Sequence, residues 1–375
     1  MAGAALASYR RIVVKVGSSL LVETNGQLNR AWLETLAQDI DALLKQGHEV
    51  LIVSSGAIAI GSSFLGINKR RARLEDLQAA AAAGQVRLVH AYQEVLGHYD
   101  IAAAQILLTP EDTENRRRFL NARGTLGCLL DRNVIPIINE NDTVATEEIR
   151  YGDNDRLAAR VAQLVMADAL VLLSDVDGFY TSDPGKNPGA EHIAKVGRIT
   201  DELQSMAGET RSEVGSGGMA TKVEAARIAT HAGCSTIIAS GTIEHPLEAL
   251  SAGARCTVFK ADGTPAAARK QWLAGVLEVK GSFTVDEGAV RALQNGKSLL
   301  PVGVAGVTGD FRRGDVVSIT GPDGTEHGRG LAEYSDSEAS QLIGCQSEQI
   351  EEKLGYRGRS VMVHRDELVL FEHGG

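Results

Sequence analysis

Short apolar runs alternate with longer stretches of helical periodicity through the first two thirds of the chain. Residues 11–16 (RIVVKV) read as a buried strand ending at Gly17-Ser18-Ser19. Residues 29–46 carry a helix pattern, and residues 49–53 form a second strand ending at Ser54-Ser55-Gly56-Ala57. The rhythm continues with a helix over 74–97, a strand over 101–108, a helix over about 113–131 and a strand over 134–138. After a polar loop come a helix over 153–166 and a strand over 169–173. Residues 180–187 (YTSDPGKN) make a turn-rich excursion of hairpin character. A helix over 219–231 and the apolar run 235–239 (STIIA) bring the alternation to its end near Val258-Phe259. Strands alternating with helices, each strand a near-continuous apolar run, predict an α/β unit whose mainly parallel sheet is covered on both faces. Ligands bind such sheets beyond the carboxyl ends of the strands, where the small polar motifs of this chain fall.

Residues 261–270 (ADGTPAAARK) read as a linker, and past Trp272 the texture changes to glycines, turns and short strands at 282–285, 302–307, 315–319 and 361–363. That pattern predicts a small β-rich second domain. The expected organisation is a first domain over 8–260, a linker over 261–271 and a second domain over 272–370. The length agrees, since 375 residues exceed the ~250–300 at which a single core stops growing.

Composition narrows the function. Hydrophobic residues make up 43% and charged residues 23%, the balance of a globular chain, while an aromatic content of 4% argues against stacking platforms for single-stranded nucleic acid. Cys128, Cys234, Cys256 and Cys345 are far apart and form no C-x-x-C, which fits a reducing cytoplasm and suggests neither a zinc site nor a disulfide framework. No apolar run approaches the ~18 residues of a membrane span, and the N-terminal arginines follow the small apolar stretch, the wrong order for a signal peptide. A net charge of −10 disfavours generic binding to nucleic acid or anionic membranes.

The chemistry is concentrated in a few motifs. Residues 215–222 (GSGGMATK) place three glycines ahead of a helix, a junction that attracts phosphate through free N–H groups and the helix dipole, with Lys222 adding a full charge. A flexible surface loop is the alternative reading. It is not a Walker A loop, and the chain's one GKS, at Gly296-Lys297-Ser298, lacks the required glycine five positions earlier. Lys15 is either a lysine snorkelling from an edge strand or a cation held at a strand's carboxyl end. Asn139-Glu140-Asn141-Asp142 either caps the next element or grips a polar ligand. Gly152-Asp153-Asn154-Asp155 opens a helix with more carboxylates and amides than one cap needs, and Ser174-Asp175-Val176-Asp177-Gly178 reads as a capped turn or a ligand loop. Jointly these strand ends supply two lysines, a glycine loop and several carboxylate or amide groups, an inventory suited to phosphoryl transfer.

VVKVGSSL at 13–20, VSSGAIAIG at 53–61, FLNARGTL at 119–126, INENDTVA at 138–145, YGDNDRLAA at 151–159, LLSDVDGFY at 172–180 and GSGGMATK resemble, in collinear order, the bacterial glutamate 5-kinases of the amino-acid kinase family. TVDEGAVRAL at 284–293, SLLPVGV at 298–304, FRRGDVV at 311–317 and VHRDELV at 363–369 resemble the PUA domain that many of these kinases carry. The resemblance implies an amino-acid kinase fold followed by a PUA-like domain, and transfer of the ATP γ-phosphoryl group to the γ-carboxylate of L-glutamate, the first step of proline biosynthesis. Lys15 and Lys222 match the family's lysines that stabilise the transferring group, and Asp155 the acid that orients them. Ser55, Asp142 and Asn154 match its glutamate contacts, with Asn139 and the Gly56-Ala57 backbone nearby. Asp142 is expected to pair with the substrate α-ammonium. Gly17, Ser174, Asp175, Ser216, Gly217, Gly218, Met219, Ala220, Thr221 and Lys222 fall to the nucleotide, as does Lys15. Ser174 and Ser216 depart from the family's threonine but keep a hydroxyl. Mg²⁺ is implied with no dedicated protein ligand, as are feedback inhibition by proline, a homodimer or homotetramer, and contact with the next enzyme of the pathway.

Two other classes of protein share parts of this pattern. An acetylglutamate kinase or aspartokinase lacks the PUA-like tail and fits INENDTVA and GDND less well. An RNA-binding role for the tail is disfavoured by its charge, since residues 271–375 hold 10 Lys/Arg against 16 Asp/Glu, a net of −6, and phosphate neutralisation supplies most affinity for RNA. A local basic spot at Arg312-Arg313 is the remaining candidate surface, and a structural or regulatory tail is the favoured alternative.

Overall fold

The computed structural model describes residues 6–69, 71–144, 154–208, 218–275 and 278–371. The chain divides into two compact units, Met1–Pro265 and Ala266–Gly375.

The first unit is built from β1 (Arg11–Val16), α1 (Ser18–Leu21), α2 (Arg30–Lys45), β2 (Glu49–Ser54), α3 (Ala57–Leu65), α4 (Leu74–Gly97), β3 (Ala103–Leu108), α5 (Pro110–Glu114), α6 (Arg116–Leu130), β4 (Ile135–Glu140), α7 (Asn154–Leu164) and β5 (Ala169–Ser174). It continues with β6 (Phe179–Tyr180), β7 (His192–Ile193), β8 (Lys195–Val196), α8 (Asp201–Met206), α9 (Met219–His231), β9 (Ser235–Ser240), α10 (Pro246–Ser251) and β10 (Cys256–Phe259). Eight strands form one sheet in the order β3-β4-β2-β1-β5-β9-β10-β8, and β6 pairs with β7 in the expected hairpin. From β3 to β9 every pairing is parallel; β10 then runs antiparallel to β9. The carboxyl ends of β1, β2, β4 and β5 therefore share one edge of the sheet.

Side-chain alternation along β1 feeds two cores. Ile12, Val14 and Val16 pack with Trp32, Leu36 and Ile40 of α2 and with Tyr92 of α4. Val13 packs on the other face with Leu157 and Val161 of α7 and Val223 and Ala226 of α9. Because both faces are covered, the strand is apolar throughout rather than alternating. Lys15 shares the parity of Val13 and so belongs to the α7/α9 face. The edge-strand alternative for Lys15 fails, because β1 lies between β2 and β5.

Helix α3 is absent from the sequence reading. Gly56, at φ 97°, turns the chain from β2 straight into it. It then packs against α4 backbone to backbone: a Cβ on Gly61 would lie 1.7 Å from the Ala80 carbonyl oxygen, and one on Gly84 1.8 Å from that of Ala57. The helix expected near 113–131 is two, α5 and α6, broken at Asn115, whose side chain accepts from the N–H groups of Arg117 and Arg118. Asp39 of α2 caps α10, accepting from the N–H of Leu247 at 2.8 Å and of Glu248 at 3.3 Å and from His245 Nδ1 at 2.9 Å.

The second unit holds α11 (Pro265–Gly275, from its second residue), β11 (Gly281–Val285), α12 (Glu287–Gln294), β12 (Val304–Gly309), β13 (Val316–Thr320), β14 (Glu326–Leu331), α13 (Asp336–Gln341), α14 (Ile350–Leu354) and β15 (Leu368–Leu370). Its five-stranded sheet runs β12-β11-β13-β14-β15 over a core that includes Phe283, Phe311, Ile319 and Met362. The stretch read as a linker carries α11, whose Arg269 makes a partly buried ion pair with Glu367 at 2.6 Å. Residues 361–363, read as a strand, contribute only the isolated bridge of Val363 to Leu299.

Candidate active site

One strand end and two helix starts deliver the charged centre. Lys15 is the penultimate residue of β1, Asp155 lies in the first turn of α7, and Lys222 lies in the first turn of α9. Their side chains meet. Lys15 Nζ lies 2.5 Å from Asp155 Oδ1, and Lys222 Nζ donates to Asp155 Oδ2 at 3.2 Å. All three groups are buried, Asp155 completely. Burial alone raises the Asp155 carboxyl, but the two ammonium groups outweigh it and hold the carboxyl below its usual range. One carboxylate between two ammonium groups leaves a net positive centre at the sheet edge.

Around it the other sequence-designated residues take distinct places. Gly218 is the N-cap of α9 and supplies no side chain to its free N–H groups. Met219, Ala220 and Thr221 form the first turn beside Lys222; Thr221 Oγ1 donates to the Gly218 carbonyl at 2.7 Å and lies 3.3 Å from Asp155 Oδ2. Gly17 follows β1 at φ −71°, and a Cβ there would meet only ordinary contacts, the Leu173 carbonyl oxygen at 3.7 Å being the nearest. Ser174 ends β5, buried, with its Oγ donating to Asp175 at 2.9 Å, while Asp175 is exposed.

On the other side of β1, Ser55 and Gly56 are half-buried and Ala57 is buried at the β2–α3 turn. Asn139 and Glu140 are buried at the end of β4, and Asp142 is half-buried just beyond. Asn154 bridges the two strand ends, its Nδ2 donating to the Ser54 carbonyl at 2.5 Å and to Asn139 Oδ1 at 2.8 Å. Ser216 and Gly217, with Gly215, Gly152 and Asp153 of the motifs, lie outside the described residues. The sequence reading missed three polar residues behind this edge, Ser54, Gln85 and Tyr92. Their signal was a Gln and a Tyr seven apart in an Ala/Leu-rich helix, which places both on one face.

Among the described residues the one cluster with metal-ligand spacing is Asp39, His245 and Glu248, the α10 cap rather than this edge. No helix among them is long and apolar enough to cross a membrane.

A parallel sheet that ends in two lysines clamped on one carboxylate, beside a glycine-capped helix, defines a phosphotransferase without a Walker loop. The model of the amino acid kinase family matches residues 10–240, and that of the PUA domain matches residues 274–354. The chain is 54% identical to a glutamate 5-kinase of Rhodopseudomonas palustris (strain HaA2) over 99% of both chains. It is 55% identical to that of Rhizobium rhizogenes (strain K84) over 96% of this chain and 93% of the relative. It is 55% identical to glutamate 5-kinase 1 of Rhizobium meliloti (strain 1021) over 99% of this chain and 94% of the relative. The chain belongs to the amino acid kinase family and, within it, to the glutamate 5-kinases.

Proposed function

We propose that this chain transfers the γ-phosphoryl group of ATP to the γ-carboxylate of L-glutamate, giving L-glutamyl 5-phosphate and ADP, the first step of proline biosynthesis. The observation that carries the reading is the Lys15–Asp155–Lys222 centre, two ammonium groups fixed by one buried carboxylate. Phosphoryl transfer spreads negative charge over the equatorial oxygens, and preorganised cations stabilise it most in a site shielded from water. The acceptor carboxylate is already an anion at neutral pH, so no general base is required, and Asp155 orients the lysines.

The nucleotide lies on the Lys222 side. Its contacts are Lys15, Gly17, Ser174, Asp175 and the stretch Ser216 to Lys222. Among the described residues nothing demands glycine at 17 or 218, since neither has a positive φ or a close neighbour, and a phosphate approaching the backbone would use the room they leave. The acceptor lies on the other side, against Ser55, Gly56, Ala57, Asn139, Asp142 and Asn154, with Asp142 pairing with the α-ammonium. When bound with ATP, Mg²⁺ neutralises the β- and γ-phosphates. Such an ion would be held chiefly by phosphate oxygens and waters, the usual mode of Mg²⁺ at a nucleotide.

Proline competes in the acceptor site, the enzyme is a cytoplasmic homodimer or homotetramer able to meet the next enzyme of its pathway, and residues 272–370 serve structure or regulation. RNA binding by that part is disfavoured by the net charge of −6 over residues 271–375; at the basic spot Glu333 engages Arg313 at 3.5 Å and Arg359 at 3.0 Å, one carboxylate against two guanidinium groups. The deciding test is ADP release with glutamate, N-acetylglutamate, aspartate and carbamate as acceptors. Turnover with glutamate far above the other three is expected, and preference for another acid overturns the assignment. Proline inhibition that does not weaken as glutamate rises would remove the shared-site reading.

A further inference from the structure

The amide groups of Asn139 and Asn154 are locked in one orientation by two backbone groups that cannot be reversed. Asn139 Oδ1 accepts from the Glu140 N–H at 2.9 Å, so its oxygen is identified by a fixed donor. Asn154 Nδ2 donates to the Ser54 carbonyl at 2.5 Å, so its nitrogen is identified by a fixed acceptor. The link between the two side chains, Asn154 Nδ2 to Asn139 Oδ1 at 2.8 Å, agrees with both assignments and breaks if either amide is flipped. Both Asn154 N–H groups are thereby used, and Asn139 Oδ1 has both lone pairs occupied. What remains is one acceptor, Asn154 Oδ1, and one donor group, Asn139 Nδ2, neither with a partner among the described residues.

Both anchoring points are held in turn by α4. Tyr92 OH meets Ser54 Oγ at 3.1 Å, and Gln85 Nε2 donates to the Glu140 carbonyl at 3.4 Å. Gln85 is itself met by Gln105 of β3 at 3.5 Å. The seven-position step from Gln85 to Tyr92 makes two turns, so one face of α4 reaches the ends of β4 and β2 together. The same helix fixes the start of α3 through Gly84, against the Ala57 carbonyl. Full burial raises the Tyr92 phenol far above any working pH, so the group stays neutral and acts only as a hydrogen-bonding post.

We propose that Tyr92 and Gln85 are positioning residues for acceptor recognition: through Ser54 and Glu140 they hold the backbone groups that set the amide polarity, so that Asn154 offers an oxygen to the ammonium of the amino-acid substrate and Asn139 offers its NH₂ to the carboxylate that is not phosphorylated. The inference rests on the acceptor lying against these strand ends. A reversed pair of amides would present a donor to an ammonium and an acceptor to a carboxylate, so the lock discriminates as well as positions.

The test uses the full chain with Tyr92→Phe, Ser54→Ala, Ser54→Thr and Asn139→Asp, each followed by ADP release. Tyr92→Phe and Ser54→Ala are expected to raise the glutamate KM roughly 3- to 10-fold, the loss of one buried hydrogen bond, with kcat and the ATP KM within about twofold. Ser54→Thr keeps the hydroxyl and should restore the parent KM, which a purely structural role for the position does not demand. Asn139→Asp replaces the donor by a second acceptor and should raise the glutamate KM by about 10-fold or more. It should also shift preference by a similar factor toward L-isoglutamine, whose α-carboxylate is replaced by a carboxamide that can donate. An unchanged glutamate KM in both Tyr92→Phe and Ser54→Ala, or equal losses toward glutamate and ATP, overturns the positioning role. An unchanged isoglutamine-to-glutamate ratio in Asn139→Asp overturns the polarity. Absence of glutamate-dependent ADP release by the parent chain would instead sink the acceptor assignment itself.

Discussion

Replacing Asp155 by Asn removes the charge that joins Lys15 to Lys222 while keeping the shape. At 2.5 and 3.2 Å, each ammonium–carboxylate attraction is about 5–7 kcal/mol at an effective dielectric constant near 20, and dehydrating three charges offsets most of it. What the substitution exposes is the remainder: two buried ammonium groups facing each other without a counter-charge. Breaking a buried pair in this way destabilises by about 3–5 kcal/mol, and that is the loss expected for Asp155→Asn at pH 7. The chain's two tryptophans make the measurement clean, because Trp32 is buried in the first unit and Trp272 lies in the second. In a Trp272→Phe background, Trp32 fluorescence during guanidinium unfolding reports the first unit alone. The pH dependence follows from the depressed Asp155 carboxyl. A carboxyl whose folded pKa is lowered stabilises above its unfolded value, and the contribution is lost as pH falls through the folded value. The gap between parent and variant should therefore be full near neutrality and close in acid. A variant within 1 kcal/mol of the parent, or a gap unchanged into the acid range, would refute the carboxylate's role as the anchor of both lysines.

Lys222→Ala should lower kcat by roughly 10²-fold or more in a coupled ADP assay with the fold intact by circular dichroism; near-parent turnover removes the residue from the mechanism. Asp142→Ala should act chiefly on the glutamate KM, and an unaltered KM would end its ammonium-binding role. Gly84→Ala forces a methyl into the Ala57 carbonyl and should destabilise the first unit by about 3 kcal/mol, the upper range of ordinary overpacking. Gly97→Ala, with open space around it near the same helix's end, is the control and should be neutral or slightly stabilising.

The sheet was legible because a strand buried on both faces announces itself as an apolar run, as in RIVVKV and VLLS. What escaped obeys other rules. Helix α3 begins at a left-handed glycine and offers an apolar run too short to separate from a loop. Strand β14 (EHGRGL) carries almost no strand signal, because its glycines serve a close approach: a Cβ on Gly328 would lie 2.2 Å from the Val369 carbonyl oxygen. In the site, the charged residues and the amides were readable as polar groups at strand ends. Their partnership was readable only through the family resemblance, since nothing local tells that Lys15, Asp155 and Lys222 converge. The parity of Lys15 with Val13 was the available clue, and it becomes useful only once α7 and α9 are known to cover that face. Ser54 was legible only as a strand end and Tyr92 only as sharing a helix face with Gln85, because a buried Ser–Tyr contact across elements has no sequence signature of its own.

The distances along the chain between converging groups bear on how this enzyme comes into being. Asp155 stands 140 residues after Lys15 and 67 before Lys222, and the central strands of the sheet, from β3 to β9, pair in parallel. Long-range parallel pairing is slow to form, because the loops must close before the contacts reward it. During synthesis the charged centre stays incomplete until α9 has left the ribosome, when more than half of the chain has been made. A chain that stops before α9 lacks Lys222 and so one of the two ammonium groups of the centre. Enzymatic activity is thus a reporter of folding of the first unit at least as far as α9, the element that carries the second lysine, with β9, α10 and β10 still to follow it in the chain.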